Sequence, residues 1–339
     1  MRVAFDSRAV SDPNGVGRYS RCLLKALGET VSAEDELLEA PRPSTTVRAG
    51  NTDVFHSPWM DGAMLHSPCP MVVTVHDVAA LKRRSEHLRT GLRLRLRHLA
   101  VQRAASVIVP TEVVANEAVE HLHLRRERIV VIPEAADASM FPRSEQEVEA
   151  TREHFALPER YLVWVGDLQH PEPGRQLAKL AAAERNLALV LVGPTRPWAH
   201  ELPNVILTGQ ASDDQLAAIH SGAHALVLPS EDEAFGLAAV EALACGTPVV
   251  ACETRALREV LAGRATFVAP GDVRALITAA EAVERPVRAA PSWSWEDAAR
   301  ATWGVYPRAL LPADHARAAG PSLGARRAGA RRLDQIGPQ

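Results

Sequence analysis

The chain has 339 residues, of which 47% are hydrophobic and 23% charged, with a formal net charge of -3 at pH 7. This length exceeds the size at which one hydrophobic core usually stops growing, so we expect two domains. The balanced charge argues against the basic surface of a nucleic-acid-binding protein, and we expect no nucleic-acid partner.

The four cysteines show no C-x-x-C spacing, so the sequence predicts neither a zinc site nor a disulfide framework. The first residues lack the cationic start and long apolar core of a signal peptide, and no stretch approaches the roughly 20 apolar residues of a membrane helix. We therefore expect a cytoplasmic protein, with any membrane contact peripheral and on the inner membrane face.

Strands and helices alternate along the first part of the chain. A short apolar strand at residues 2–5 precedes a glycine-containing loop and a helix that begins near Arg18, and further strands are predicted at 53–55, 71–75 and 105–109. Residues 31–50 read as a trimmed strand and helix, which makes this part short. Such alternation is typical of a parallel sheet with helices on both faces.

A polar stretch at residues 139–158 separates this part from a second alternating series. Its predicted strands are 161–165, 188–192, 205–208, 223–228, 248–252 and 266–268. We expect an α/β protein with two doubly wound Rossmann-like domains facing a cleft, at residues 1–145 and 159–311. Residues 312–339 are rich in Ala, Gly, Arg and Pro and are predicted to be disordered.

The segment from Pro229 to Val250 carries the most chemical information. Glu233 lies on a loop after a buried strand, and a helix follows that includes Glu241 and stops at Gly246. The first-turn amides of this helix are suited to a diphosphate. Two carboxylates eight positions apart can accept hydrogen bonds from the two ends of a nucleotide-sugar. The alternative is that both glutamates are solvated charges at a helix terminus.

The segment PSEDEAFGLAAVEALACGTPVV resembles the E-x7-E region of glycosyltransferase family 4, whose usual form is close to PS-x-x-EGFGL-x-x-x-EA-x-A-x-GTPVV. The resemblance implies a GT-B fold and retaining transfer of a hexose from a UDP-, GDP- or similar nucleotide-sugar to a hydroxyl, for example on a glycan or a lipid-linked sugar. It implies no metal or other cofactor. In this family's pattern Glu233 orients the sugar and Glu241 binds the ribose, and the loop residues Ala234, Phe235, Gly236 and Leu237 bind the donor. Ala234 stands where the family usually has glycine.

Two further segments are similar to the same family. The sequence GVGRY resembles its GIGRY loop, which implies that Gly15 and Gly17 bind the donor phosphate, although an ordinary turn explains the glycines equally well. The sequence TVHD, residues 74–77, resembles its T-x-HD segment, which implies a catalytic contact between His76 and the donor sugar. A capping or core histidine is the alternative. Residues 131–137, VIPEAAD, look like the family's VIPNGVD run.

The positive charge that balances the donor diphosphate departs from the family pattern. The lysine expected after Gly166 is absent, and the alignment with the family's EPRKN run places Arg175 in its position, with Lys179 as the fallback. The alternative is that Arg175 is a solvated residue near a helix start. The short first domain also implies a reduced or unusual acceptor pocket.

Residues 81–103 form a basic helical segment with a stripe of leucines at positions 88, 92, 96 and 99. Such a stripe is able to lie on an anionic membrane surface, or it faces the protein core with a solvated basic side. The predicted partners are thus a nucleotide-sugar, an unidentified hydroxyl acceptor and, as an open alternative, a membrane surface.

Two other functions stay open at this point. A nucleotide-sugar epimerase uses the same two-domain architecture, and a degenerate transferase would bind a nucleotide-sugar without turnover. A dehydrogenase is disfavoured because no G-x-G-x-x-G opens directly after a strand.

Overall fold

The computed structural model describes residues 1–12, 15–48, 50–79, 87–168, 174–285 and 289–311, without the side chains of residues 87–94. The predicted tail, 312–339, lies outside the described residues. The strands are Arg2–Phe5 (β1), Glu36–Glu39 (β2), Val54–Ser57 (β3), Met71–Thr74 (β4), Ser106–Val109 (β5), Ile129–Val131 (β6), Tyr161–Val165 (β7), Ala188–Val192 (β8), Val205–Gly209 (β9), Ala225–Leu228 (β10), Val249–Cys252 (β11) and Thr266–Val268 (β12). The helices are Gly15–Thr30 (α1), Pro43–Thr46 (α2), His87–Gln102 (α3), Glu112–Leu122 (α4), Glu145–Phe155 (α5), Gly174–Ala182 (α6), Asp213–Gly222 (α7), Leu237–Ala244 (α8), Arg255–Leu261 (α9), Val273–Ala282 (α10) and Trp295–Leu310 (α11).

The strands form two six-stranded parallel sheets, in the orders β2-β1-β3-β4-β5-β6 and β12-β11-β10-β7-β8-β9. Strands β3, β4, β5, β10 and β11 are buried at every position. Burial of whole strands, rather than of alternate residues, is expected where helices cover both faces of a parallel sheet. The predicted fold class, two doubly wound Rossmann-like domains, is confirmed.

Local sequence signals define the helix ends around the sheets. Ser144, Ser212 and Ser294 each form a capping box at the start of α5, α7 and α11. Helix α8 ends at Ala244, and Gly246 follows it with a left-handed φ of 75°. A residue with a side chain is strained in that conformation, so the glycine provides the stop that the sequence predicted.

Helix α11 lies on a different domain from the one its sequence position predicts, and α5 occupies the stretch predicted to separate the domains. Helix α5 packs on the second domain, where Phe155 contacts the core and Arg143, just before the helix, bonds Asp214 at 2.7 Å. Helix α11 falls within the predicted second domain, 159–311, but packs on the first sheet and α1. Its Trp303 Nε1 donates to the Leu27 carbonyl at 3.2 Å. The chain therefore crosses the cleft twice.

A buried polar chain fixes α11 on the first sheet. The Tyr306 hydroxyl lies 2.9 Å from His56 Nδ1, and His56 Nε2 lies 3.1 Å from the Thr74 hydroxyl, which in turn lies 3.1 Å from the Tyr19 hydroxyl. Burial, together with nearby His76, lowers the pKa of His56 to about 3. The ring is therefore neutral, with one donor and one acceptor nitrogen for its two hydroxyl partners.

The basic helix α3 exposes part of its predicted leucine stripe. Leu96 is 40% and Leu99 47% exposed, while Leu88 and Leu92 lie outside the described side chains. These two leucines do not face the core, and membrane contact through them stays a prediction. No described helix combines the length and apolar character that a membrane crossing requires.

We predict that Tyr306→Phe lowers the free energy of unfolding by about 1–3 kcal/mol, because it leaves a buried ring nitrogen of His56 without its partner. Urea unfolding measures the change. Arg300→Ala, on the exposed side of the same helix, is the control and should change stability by less than about 0.5 kcal/mol. Equal effects of the two substitutions would contradict a stabilising role for the buried chain.

Candidate active site

A cavity of about 340 Å³ lies between the two domains. Helix α1 of the first domain contributes Gly15, Arg18 and Arg21 to its lining. The second domain contributes residues at or after the carboxyl ends of β7, β8, β9 and β10, and the first part of α7 and α8: Trp164, Val165, Gly166, Asp167, Val192, Gly193, Pro194, Gln210, Ala211, Asp213, Leu216, Leu228, Ser230, Glu233, Gly236, Leu237, Ala238 and Glu241. This is the edge of a parallel sheet at which ligands bind.

The N-terminus of α8 opens onto this cavity. Gly236 is the N-cap residue with a φ of 83°, and a Cβ at this position would lie 2.4 Å from Leu257 Cδ2, so glycine is required. The first amide used within the helix is that of Ala239, which donates to the Gly236 carbonyl at 2.9 Å. The amides of Leu237 and Ala238 precede that bond and are suited to an anion.

Two of the four predicted loop residues do not line the cavity. The Ala234 carbonyl accepts a hydrogen bond of 3.2 Å from the Thr111 hydroxyl of the first domain. Phe235 is buried in the core of the second domain. Gly236 and Leu237 line the cavity. Ala234 makes a hydrogen bond between the two domains, and Phe235 anchors the loop in the core of the second domain.

Glu241 is buried, with 2% of its surface exposed, and lines the cavity from the second turn of α8. One of its oxygens, Oε1, lies 3.1 Å from Arg18 Nη1. Burial raises the pKa of Glu241 to about 7, even though Arg18 acts in the opposite direction. The cleft therefore holds a carboxyl group that gains or loses its proton near neutral pH.

Glu233 lines the same cavity and is half-buried. Burial raises the pKa of Glu233 to about 7, and the charge of Asp77 adds to the shift, whereas a hydrogen bond with Ser230 opposes it. The two glutamates that the sequence singled out therefore share one cavity, with Asp77 near Glu233 and Arg18 beside Glu241.

The two glycines of GVGRY have different environments. Gly15 is exposed, begins α1 and lines the cavity, and a Cβ there would meet nothing within 4 Å. Gly17 is buried, and a Cβ there would lie 1.9 Å from the Asp12 carbonyl oxygen. Close packing of the chain on itself therefore explains Gly17, while Gly15 lies where a ligand has access.

His76 follows β4 but does not line the cavity. Its Nδ1 lies 3.0 Å from Glu134 Oε1, and its Nε2 lies 2.9 Å from the Pro58 carbonyl oxygen, which can only accept a hydrogen bond. The Tyr19 ring packs edge-on against it at 4.5 Å. Burial opposes a charge on His76, but the hydrogen bond and charge of Glu134 outweigh burial and raise the pKa of His76. Both ring nitrogens are engaged, so a contact with the sugar stays a prediction.

Arg175 and Lys179 are exposed on α6, and neither lines the cavity. Of the EPRKN alignment, Glu172 lies outside the described residues. The geometry gives no support to either cation as a partner of the donor diphosphate, and their roles stay predictions.

Arg18 is the residue that the sequence reasoning missed. Its side chain is 14% exposed and crosses the cleft, with Nη2 2.6 Å from Asp213 Oδ1 and Nη1 near Glu241. In the sequence it follows the two glycines of GVGRY, which carried the phosphate-binding prediction. Its position three residues after Gly15 is the signal that could have found it, because residues three apart are neighbours on a helix surface.

Comparisons with known proteins identify the family. The family model Glycosyltransferase Family 4 matches residues 37–139, and the model Glycosyl transferases group 1 matches residues 159–284. The chain belongs to the family 4 glycosyltransferases. Both domains of this glycosyltransferase are thus covered by a matching model, and the sequence prediction of the family is confirmed.

Two curated relatives show the range of the family. The D-inositol 3-phosphate glycosyltransferase of Mycolicibacterium smegmatis is 29% identical over 333 residues, which cover 86% of this chain and 74% of the relative. The 2-deoxystreptamine glucosyltransferase of Streptomyces kanamyceticus is 30% identical over 196 residues, covering 52% of this chain and 50% of the relative. The chain spans only half the length of that second relative.

Solved structures share the fold. Sucrose-phosphate synthase from Thermosynechococcus elongatus superimposes with a TM-score of 0.64 at 20% identity, covering 91% of this chain and 96% of that one. Anabaena Alr3699/HepE in complex with UDP-glucose gives a TM-score of 0.65 at 18% identity, with coverages of 91% and 95%. The fold is therefore the GT-B fold.

The raised pKa of Glu241 predicts a pH-dependent stability. The protonated carboxyl is favoured in the fold, so its contribution is complete below about pH 4.5 and is lost as the pH rises through about 7. The stability of the wild type relative to Glu241→Gln should therefore fall by an amount on the order of 3 kcal/mol between pH 4.5 and 8. Chemical unfolding at a series of pH values measures this difference.

The control for this experiment is Glu153→Gln, which alters an exposed carboxyl on α5. Its stability should stay within about 0.5 kcal/mol of the wild type throughout the series, as is usual for a substitution of an exposed side chain. A wild-type advantage over Glu241→Gln that is independent of pH would contradict the assignment of a buried titrating group in the cleft.

Proposed function

We propose that this glycosyltransferase moves a hexose from a nucleotide-sugar to a hydroxyl acceptor with retention of the anomeric configuration. The observation that carries the proposal is the convergence of Gly15, Glu233, Gly236 and Glu241 on one cavity between the domains. Two helix N-termini and two carboxyl groups match the diphosphate and the two polyol ends of such a donor.

In this proposal the diphosphate lies between the N-termini of α1 and α8. Both helices begin at the cavity, with Gly15 and Leu237 as their first residues. The first amides of a helix have no acceptor within the helix and lie at the positive end of its dipole, so both N-termini favour a bound anion. The absence of a Cβ contact at Gly15 leaves room for phosphate oxygens.

The two glutamates take the ends of the donor. Glu241 binds the ribose hydroxyls, because it is buried one turn beyond the amides that hold the diphosphate. Glu233 orients the sugar hydroxyls, because it lies on the loop before α8, on the side of Asp77. A carboxyl group is suited to both tasks because it accepts hydrogen bonds from neighbouring hydroxyls.

The proposed reaction requires no metal and no protein nucleophile. The bond between the anomeric carbon and the diphosphate oxygen breaks, and its electron pair leaves with the nucleoside diphosphate. The acceptor oxygen bonds the anomeric carbon and loses its proton to the departing diphosphate. Amides and cations fixed in the cleft stabilise the charge that develops on the leaving group.

Relatives support the substrate classes without deciding among them. HepE was solved with UDP-glucose, which supports a nucleotide-sugar as the donor. Relatives named for D-inositol 3-phosphate and 2-deoxystreptamine support a cyclic polyhydroxylated acceptor. We therefore propose a hexose donor of this kind and a small polyol or glycan acceptor.

A binding protein without turnover is the second candidate. The observation in its favour is that, among the described residues lining the cavity, those of the second domain include no lysine or arginine. A nucleotide-sugar epimerase on this fold would release an altered sugar without an acceptor. Product analysis separates these two candidates from transfer.

We predict that Glu241→Ala and Glu233→Ala affect different steps. Glu241→Ala should weaken donor binding roughly 10- to 100-fold, because charge-assisted hydrogen bonds to the ribose are lost. Glu233→Ala should lower kcat more than donor affinity, because it orients the sugar at the reacting carbon. Calorimetric titration gives the affinities, and release of nucleoside diphosphate in the presence of acceptors gives the rates.

Glu153→Ala is the matched control and should change neither quantity, since it removes an exposed carboxyl that does not line the cavity. Equal and small effects of both active-site substitutions on affinity and rate would refute the roles proposed here. A wild type that binds the donor but never releases nucleoside diphosphate would favour the binding-only candidate.

A further inference from the structure

Carboxyl groups outnumber cations among the described residues that line the cavity, so binding of a diphosphate depends on the few cations present. The described lining residues carry four carboxyl groups, on Asp167, Asp213, Glu233 and Glu241. They carry two guanidinium groups, and both of these, Arg18 and Arg21, lie on α1 of the first domain. The positive charge in the lining therefore comes from the first domain.

The two arginines differ in what their donors already bind. Arg21 Nη1 donates to the carbonyls of Val10 and Asp12, each at 2.9 Å, so it fastens the loop before α1. Arg18 uses Nη2 for Asp213. Its Nη1 is buried and makes no hydrogen bond to the described protein, although it lies 3.1 Å from Glu241 Oε1.

Arg18 Nη1 thus has N–H groups that can donate hydrogen bonds to a ligand in the cavity. A guanidinium has five N–H groups in a planar fork that matches the oxygens of a phosphate. Leaving such a buried donor without a partner is costly, and an anionic ligand in the cavity would supply one. The same ligand would lie at the N-terminal ends of α1 and α8, where the first amides have no acceptor within the helix.

We propose that Arg18 binds the diphosphate of the donor and stabilises it as the leaving group. This inference rests on the proposed function and identifies the residue that takes the place of the lysine missing from the second domain. Arg18 reaches the diphosphate from the opposite wall of the cleft, because α1 belongs to the first domain. Its bond with Asp213 holds the guanidinium in place, and Nη1 turns from Glu241 to the phosphate oxygens.

The test compares nucleoside diphosphates with nucleoside monophosphates. UDP, GDP and ADP, each beside its monophosphate, are titrated into the wild type, Arg18→Ala and Arg18→Met by calorimetry. For the base that the wild type prefers, both variants should lose roughly 10- to 100-fold in affinity for the diphosphate and much less for the monophosphate. Arg18→Lys should keep part of the preference, because it retains the charge without the planar fork.

A second comparison separates a phosphate contact from an indirect effect through Glu241. In a Glu241→Gln background, Arg18→Ala should still reduce the preference for the diphosphate. Loss of that effect in the Gln background would show that Arg18 acts only by holding Glu241, and would overturn the inference. Lys25→Ala removes an exposed positive charge from the same helix and should leave both affinities unchanged.

The outcomes distinguish this inference from the proposed function. A wild type that binds none of the three nucleoside diphosphates contradicts both. A wild type that binds and turns over a nucleotide-sugar, with an undiminished diphosphate preference in Arg18→Ala, overturns the role of Arg18 alone. The same conclusion follows if Arg175→Ala loses the preference and Arg18→Ala keeps it.

Discussion

The parallel direction of both sheets is the constraint on which the site depends. In a parallel sheet all strands end at one edge, and the connections to the following helices collect there. The loops after β7, β8, β9 and β10 line the cavity, and the loop after β1 leads to Gly15 on the opposite wall. The direction of the strands therefore brings two helix N-termini, which are far apart in the sequence, to the same cavity.

Hydrogen bonds across the cleft fix the position of one sheet edge relative to the other. Arg18 crosses it to Asp213, and the Thr111 hydroxyl bonds the Ala234 carbonyl. Glu259 of the second domain accepts hydrogen bonds from the first amides of α4, so it acts as a cap supplied by the other domain. Helix α11 adds a larger connection, since it returns from the second domain to the core of the first. The two domains are thus linked by hydrogen bonds and by a helix, α11, across the cleft that contains the cavity.

Burial raises the pKa values of Glu233 and Glu241 in the cleft. Glu241 lies in an environment that favours its neutral form, even with Arg18 within 3.1 Å. A protein that only needed stability would gain by replacing such a pair with apolar residues, because desolvation of buried charges is costly. The presence of a buried carboxyl beside a buried guanidinium, both of which are costly to desolvate, is consistent with a site in which a ligand supplies the missing hydrogen-bond partners.

Much of the fold was predictable from the sequence, because buried parallel strands are continuous apolar runs and glycine stops mark helix ends. The edge strand β6 was not among the predicted strands, although its three residues, Ile129–Val131, are all apolar. The domain that α5 and α11 join could not be predicted, because an amphipathic helix does not specify which sheet it covers. At the site, Glu233 and Glu241 were brought to one cavity as expected from their spacing.

The positive charge of the cleft could not be placed from the sequence. Alignment assigned it to the second domain at Arg175, because sequence patterns compare positions along one domain. Among the described residues that line the cavity, the guanidinium groups lie across the cleft on α1, a relation that exists only once two domains face each other. The partners of His76 could not be predicted from the sequence either, since Glu134 and the Pro58 carbonyl come from other parts of the fold.

The claim that this cleft binds a nucleotide-sugar is tested most directly by thermal unfolding of the wild type with UDP-, GDP- and ADP-sugars. A ligand present at about 100 times its dissociation constant adds roughly 2.7 kcal/mol of stability. We predict a clear rise of the melting temperature with the sugars of one nucleotide base, and a smaller rise in Glu241→Ala at the same concentration. A folded wild type whose melting temperature is unchanged by every nucleotide-sugar would contradict the account.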